Sequence, residues 1–289
     1  MSCESRRTIV FSVQYQPLLD SHPDWARIAC LPWDEAIFGF PVADVSLSRD
    51  SLPETNPSVA LREALHAFCD QTKSELVSAH ADGADTAAQA MLVAAGFLPV
   101  EFSILVQIQQ LKTESLPKQR FTLRTAEPED HEAIFRIAES SFGFGRYHGD
   151  PRFPRDLANR RYVQWVKNAL VGGNPDDHVF VLGGPNTVLG FMNVVIRDGH
   201  ADLRLGTVDF DSQIGFAGFA LYAETLWVVH TLGARSASAK VAAANTRVIN
   251  VCASLGYRFF NPEMTLHWHA PNSSHLLPTP LSLKQRIPK

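Results

Sequence analysis

Thr207-Val208-Asp209-Phe210-Asp211-Ser212-Gln213-Ile214-Gly215-Phe216-Ala217-Gly218-Phe219-Ala220-Leu221 is the stretch on which the reading of this chain turns. A strand-like run ends near Asp209, a short loop follows, and a helix opens with small residues at its mouth. The first N–H groups of a helix have no partner within it, and its dipole favours negative charge there, so such a turn is a ready anion site. Glycines let a pyrophosphate approach the backbone closely. By itself the segment also reads as an ordinary tight turn between strand and helix.

Outward from it, the second half reads as an alternation of elements. Strands are expected at Phe121–Thr125, Val179–Leu182, Val188–Arg197, Ala201–Asp209, Ala234–Lys240 and Met264–His269, with Gly-Gly-Pro-Asn and Asp-Gly turn signals between some of them. Helices are expected at Glu129–Ser140, Leu157–Leu170, Phe219–Thr231 and Asn245–Leu255. An α/β fold with a mixed sheet follows. Residues 85–97, Asp-Thr-Ala-Ala-Gln-Ala-Met-Leu-Val-Ala-Ala-Gly-Phe, match 245–257, Asn-Thr-Arg-Val-Ile-Asn-Val-Cys-Ala-Ser-Leu-Gly-Tyr, without a gap. Each has an Asx-Thr start that can cap a helix, an apolar stripe, and a glycine that can end it. A polar, proline-containing stretch at 112–120 separates the two copies and reads as a linker. The expected organisation is therefore 1–111, a linker at 112–120, and 121–289.

The paired motifs resemble the GNAT superfamily of N-acetyltransferases, whose pattern is a strand with Val-Asp-Pro, a Gln-Gly-x-Gly-x-Gly/Ala loop, a helix, a strand, and then Asn-x-x-Ala-x-x-x-Tyr-x-x-x-Gly-Phe. Gln213 falls on the opening Gln/Arg, Gly218 on the last glycine, Asn245 on the motif asparagine, and Gly256-Tyr257 on the Gly-Phe. The resemblance covers about residues 121–269. It implies a tandem GNAT-like fold whose first half, lacking the Gln/Arg-led glycine loop, is a degenerate copy that does not bind coenzyme A. Leu31-Pro32-Trp33-Asp34 with Phe38-Gly39-Phe40-Pro41, and the loop Ser141–Pro151 with Tyr162 and Trp165, resemble two-part acetyltransferases of amino sugars in nucleotide-sugar pathways.

What the resemblance implies for individual residues is specific. The acetyl donor is acetyl-CoA; the amides of Gln213, Ile214, Gly215, Phe216, Ala217, Gly218 and Phe219 hold its pyrophosphate. An amide near Val208 stabilises the oxyanion, and Asn245 either contacts the pantetheine or simply caps its helix. Arg146, Tyr147, His148 and Asp150 belong to a loop that either covers the amine acceptor or is a surface loop pinned by buried aromatics. Two positions depart from the pattern. Phe216 stands where the family has glycine, and its ring could obstruct the phosphates. Cys252 stands where the family's tyrosine protonates the departing thiolate; it is either that acid or a small buried apolar residue. His148, Asp150 and Glu224 are candidates for the general base by residue type alone.

Composition narrows the alternatives. With 45% hydrophobic and 19% charged residues, the 289-residue chain can fill packed cores. A net charge of -4 and no Lys/Arg block argue against nucleic-acid binding. No run of 18 apolar residues suggests a membrane span, and the N-terminus is too polar for a signal peptide, so a cytoplasmic enzyme is expected. Cys3, Cys30, Cys69 and Cys252 are too scattered for a metal framework and read as reduced thiols. His267 and His269 share a strand face without a third ligand at suitable spacing, so no metal is expected. A homodimer is one arrangement left open. The activity expected is N-acetyl transfer to a primary amine, the alternatives being a non-catalytic module binding coenzyme A or a partner, and an enzyme acting on peptide amines.

Overall fold

The computed structural model describes residues 14–22, 24–48, 55–172, 174–209 and 216–277. In chain order the elements are β1 (Gln16–Pro17), β2 (Ala26–Cys30), α1 (Pro32–Phe38), β3 (Val42–Leu47), α2 (Pro57–Thr72), β4 (Leu76–Asp82), α3 (Thr86–Ala94) and β5 (Leu98–Ile108). There follow β6 (Leu123–Thr125), α4 (His131–Ser140), α5 (Arg146–Gly149), α6 (Arg155–Val171), β7 (Asp177–Leu182), β8 (Gly190–Arg197), β9 (His200–Val208), α7 (Ala217–Thr231), β10 (Ser236–Ala242), α8 (Thr246–Ser254) and β11 (Arg258–His269). The fold is mixed α/β. The internal repeat is carried into three dimensions at a constant spacing. α2 and α7 begin at 57 and 217, β4 and β10 at 76 and 236, α3 and α8 at 86 and 246, β5 and β11 at 98 and 258.

Two compact units divide the chain at places other than the expected halves. The first takes residues 1–80, 87–98 and 266–276; the second takes 81–86, 99–265 and 277–289. Residues 99–111 go with the second because β5 pairs antiparallel with β10 from Ser103↔Ala242 to Ile108↔Ala237.

In the first unit β1–β2 and β2–β3 are antiparallel and β3–β4 parallel. Its core includes the fully buried Trp25, Phe40, Leu61, Leu65 and Leu76. The late segment 266–276 is held there by several bonds. Trp268 is buried and meets His66 edge-on at 5.1 Å. Glu75 receives the Ser274 hydroxyl (3.0 Å), the His275 backbone N–H (3.0 Å) and the His275 ring (2.7 Å), and that ring stacks on Phe40.

In the second unit the strand order is β5-β10-β9-β8-β7-β6, with the start of β11 beside β5; only β9–β10 among the registered pairs is parallel. β8 and β9 are joined by the two-residue Asp198-Gly199 turn, both residues at positive φ (51° and 74°), the conformation this dipeptide favours. α7 is apolar almost all round, and its buried residues meet those of β7–β10 in one core. α4 and α6 share a separate core with β7, β8 and Leu205 of β9.

The expected linker is instead a strap along α7. Leu111 donates to Arg235 O at 2.7 Å, and a 3-10 turn spans Thr113–Ser115. Thr113 Oγ1 meets His230 Nε2 at 3.0 Å, and Trp227 Nε1 donates to Pro117 O. The Arg120 and Phe121 N–H groups donate to Glu224 Oε1 at 2.7 and 3.0 Å.

Candidate active site

A gap opens between two neighbouring strands. Parallel β9 and β10 are in register only over His200↔Ser236, Ala201↔Ala237 and Asp202↔Ser238, yet β9 runs on to Val208 and β10 to Ala242. A bulge at Arg204 accompanies the parting, since Asn193 faces Leu205 while Val194 faces Leu203. Bulges bend a strand and increase its twist. Beyond it, the Asp209 N–H donates to Leu189 O at 2.8 Å. Successive residues of an antiparallel pair point their N–H groups to opposite sides. The Val208 N–H is therefore turned from β8 toward the β10 side, into the opening.

At the same end α7 begins. Its N-cap residue Phe216 offers no side-chain acceptor and its first turn has no acid. Among the described residues no side chain caps the N–H groups of Ala217, Gly218 and Phe219, which carry the helix's positive end. Among the described residues, a Cβ built at Gly218 meets nothing within 4 Å. The Phe216 ring leans on Phe121 of the strap (centroids 5.6 Å apart, planes at 47°). Gln213, Ile214 and Gly215 lie outside the described residues. Asn245 caps α8, its Oδ1 accepting from the Val248 N–H at 3.3 Å.

Cys252 is fully buried in the α7–sheet core, and burial pushes its thiol up to about 12. A donor that holds its proton more tightly than an ordinary thiol is a weak acid toward a thiolate. Of the two readings of Cys252, the geometry favours the buried core residue over the acid. Glu224 departs from its candidacy as base in a similar way: it is buried and Oε1 is occupied by the strap's two N–H groups.

The loop after α4 is pinned by aromatics. Tyr162 stacks against Phe142 (4.4 Å) and His148 (5.6 Å), and its hydroxyl donates to Phe144 O at 3.1 Å. A Cβ at Gly145, where φ is +125°, would fall 2.5 Å from that hydroxyl, which explains the glycine. At Gly149 a Cβ would lie 2.0 Å from Val100 O of β5. The closeness brings α5 to the end of β5 whose residues Ser103 and Phe102 meet the far end of β10 and Ala243. That is the end toward which the β9–β10 gap opens.

His148 Nε2 faces Asn159 Oδ1 at 2.8 Å, and burial lowers the imidazole's proton affinity against the partial compensation of that bond. Asp150 is buried and accepts the Arg152 N–H at 2.9 Å, holding a turn. Buried Tyr147 has the Arg146 and Arg161 guanidinium groups 4.8 and 5.2 Å from its ring centre, and Arg161 also lies 5.3 Å from the Trp165 ring. Arg161 was not a candidate in the sequence; its i,i+4 spacing from Trp165 on α6 was the available signal. Between 146 and 167 six Lys/Arg face two Asp, in a chain of net charge -4.

Comparisons with known proteins bear on this geometry. Residues 120–258 match the family model described as acetyltransferase (GNAT) domain. The spore coat polysaccharide biosynthesis protein SpsD of Bacillus subtilis (strain 168) is 32% identical over 141 residues. That match spans 47% of this chain and 47% of the relative, about half of each. A GCN5-related N-acetyltransferase from Sphaerobacter thermophilus superposes with a TM-score of 0.61 at 14% identity, over 84% of this chain and 76% of that one. A tandem GNAT protein from the clavulanic acid biosynthesis pathway gives 0.56 at 14% identity, over 86% and 80%. At these identities the two structures share the fold. Among the described residues, no helix is long and apolar enough to cross a membrane.

Proposed function

Residues 120–258 being a GNAT acetyltransferase domain, we propose that the protein transfers an acetyl group from acetyl-CoA to a primary amine on a small, anionic acceptor, an amino sugar linked to a nucleotide. The observation that carries the reading is the Val208 N–H turned into the gap between β9 and β10, beside the N-terminus of α7. When bound, the donor supplies a thioester, an acetyl group already activated toward amines. The chain's part is to orient and to stabilise charge. The Val208 N–H is set to receive the oxygen that turns negative as the amine adds. The N–H groups of Ala217–Phe219 suit a pyrophosphate. The loop bearing Arg146 and His148 closes on the same end, where holding two reactants in line yields much of the rate.

The acceptor class is supported by the cationic Arg146–Tyr147–Arg161–Trp165 ladder, since guanidinium groups match phosphate oxygens in pairs. A relative named for polysaccharide biosynthesis agrees with a sugar. Thiol release from acetyl-CoA over a panel of amines tests the proposal. Release should be fastest with amino sugars on a nucleoside diphosphate, slower with the free sugars, and slowest with peptides. The burial of Cys252 favours one competitor, a module that binds the coenzyme without turning it over. Calorimetric binding of acetyl-CoA with no thiol release on any amine would establish that competitor.

A further inference from the structure

Phe216 exposes 59% of its surface at the mouth of α7, at the position where the family's loop has glycine. A ring left in water is a cost unless something covers it. Its support is built rather than incidental. Phe121, on which it leans, packs against the core of the second unit, and the Phe121 N–H is fixed by the buried Glu224 carboxylate at 3.0 Å. The 47° tilt between the rings leaves Phe216 propped, with one side against Phe121 and most of its area outward. Phe219, 38% exposed and three residues on, extends the apolar rim along the same side of the helix.

Resting on the coenzyme reading above, we propose that Phe216, propped by Phe121, is a stacking platform for the adenine of the coenzyme. The occupant follows from the surroundings. A diphosphate held by the first N–H groups of α7 keeps the attached nucleoside close to that helix end, and a purine has flat π-faces that stack on aromatic rings. A protein partner would need roughly 800 Å² of this surface, far more than three phenyl rings supply. Glu224 enters as a positioning residue, acting through Phe121.

Two probes separate the adenine from the rest: acetyl-CoA, and S-acetyl-4′-phosphopantetheine, which lacks the adenosine portion. Binding to the full chain is measured calorimetrically for wild type, Phe216→Leu, which keeps bulk without a π-face, and Phe216→Trp, which keeps the face. Phe216→Leu is expected to raise the Kd for acetyl-CoA by about ten-fold, the scale of one lost base–aromatic stack. It should leave the pantetheine probe unchanged, and Phe216→Trp should bind acetyl-CoA as well as wild type. An equal loss for both probes, or no loss for either, would overturn the platform while leaving the coenzyme site standing. Wild type binding neither probe is a different result and overturns the coenzyme reading itself. Melting curves of both variants check that the fold is kept.

Discussion

At Gly218 a side chain has room to exist but not to be harmless. Because no described residue lies within 4 Å of a Cβ built there, Gly218→Trp should fold with a melting temperature near wild type. Its indole would occupy the space before the α7 N–H groups, so calorimetry should detect no acetyl-CoA binding; retained affinity would remove the site from this helix end. Cys252 calls for the opposite pattern. Loss of a general acid lowers turnover by about 10²–10⁴-fold. Cys252→Ala should fall far short of that in a thiol-release assay, because the thiol is buried and held protonated to about pH 12. It should instead lower stability by roughly 1 kcal/mol through a small core cavity. The sequence could state both fates of Cys252 but not choose, since exposure depends on how α8 is seated against α7 and the sheet. The direction of the Phe216 ring was hidden for a related reason: its neighbour Phe121 is 95 positions away in the chain.

Elements were legible where local chemistry dictates them. The Asp198-Gly199 hairpin, the glycine ends of α3 and α8, and the Asn245 cap all follow from backbone preferences of single residues, and each was readable. The strap over 112–121 was not. Its polar, proline-bearing composition is that of a linker, and only the distant Glu224, Trp227 and His230 make it ordered. The entry to α4 offers a test of a cap built from near neighbours in the chain. Asp130 is buried, and the paired bonds from Arg124 (2.6 and 2.7 Å) hold its carboxyl below the usual range, burial opposing and the Glu127 N–H assisting. A depressed folded pKa adds stability that is complete above the unfolded value and lost as pH falls through the folded one. Asp130→Asn should therefore cost about 1–3 kcal/mol at neutral pH and flatten the acid side of a melting-temperature profile. An unchanged profile would mean the pair contributes nothing.

Over the whole chain the repeat makes a quantitative statement. Four pairs of elements begin 160 residues apart, but a Gln/Arg-led glycine loop occurs in the second copy and not the first. Calorimetry should accordingly return about one acetyl-CoA per chain; two would make the first copy a working site. The repeat was legible as a pair of helices with like caps. The division into compact units was not, because it depends on which strands pair, and pairing between distant segments leaves no mark on periodicity.

The first unit takes Trp268, Ser274 and His275 into its fabric. Residues 266–276 must therefore leave the ribosome before that unit has all its parts, long after 1–80 and 87–98 have been made. Residues 1–111 expressed by themselves should remain labile to proteases and lack a cooperative melt, whereas adding 266–276 as a separate peptide should raise their protection.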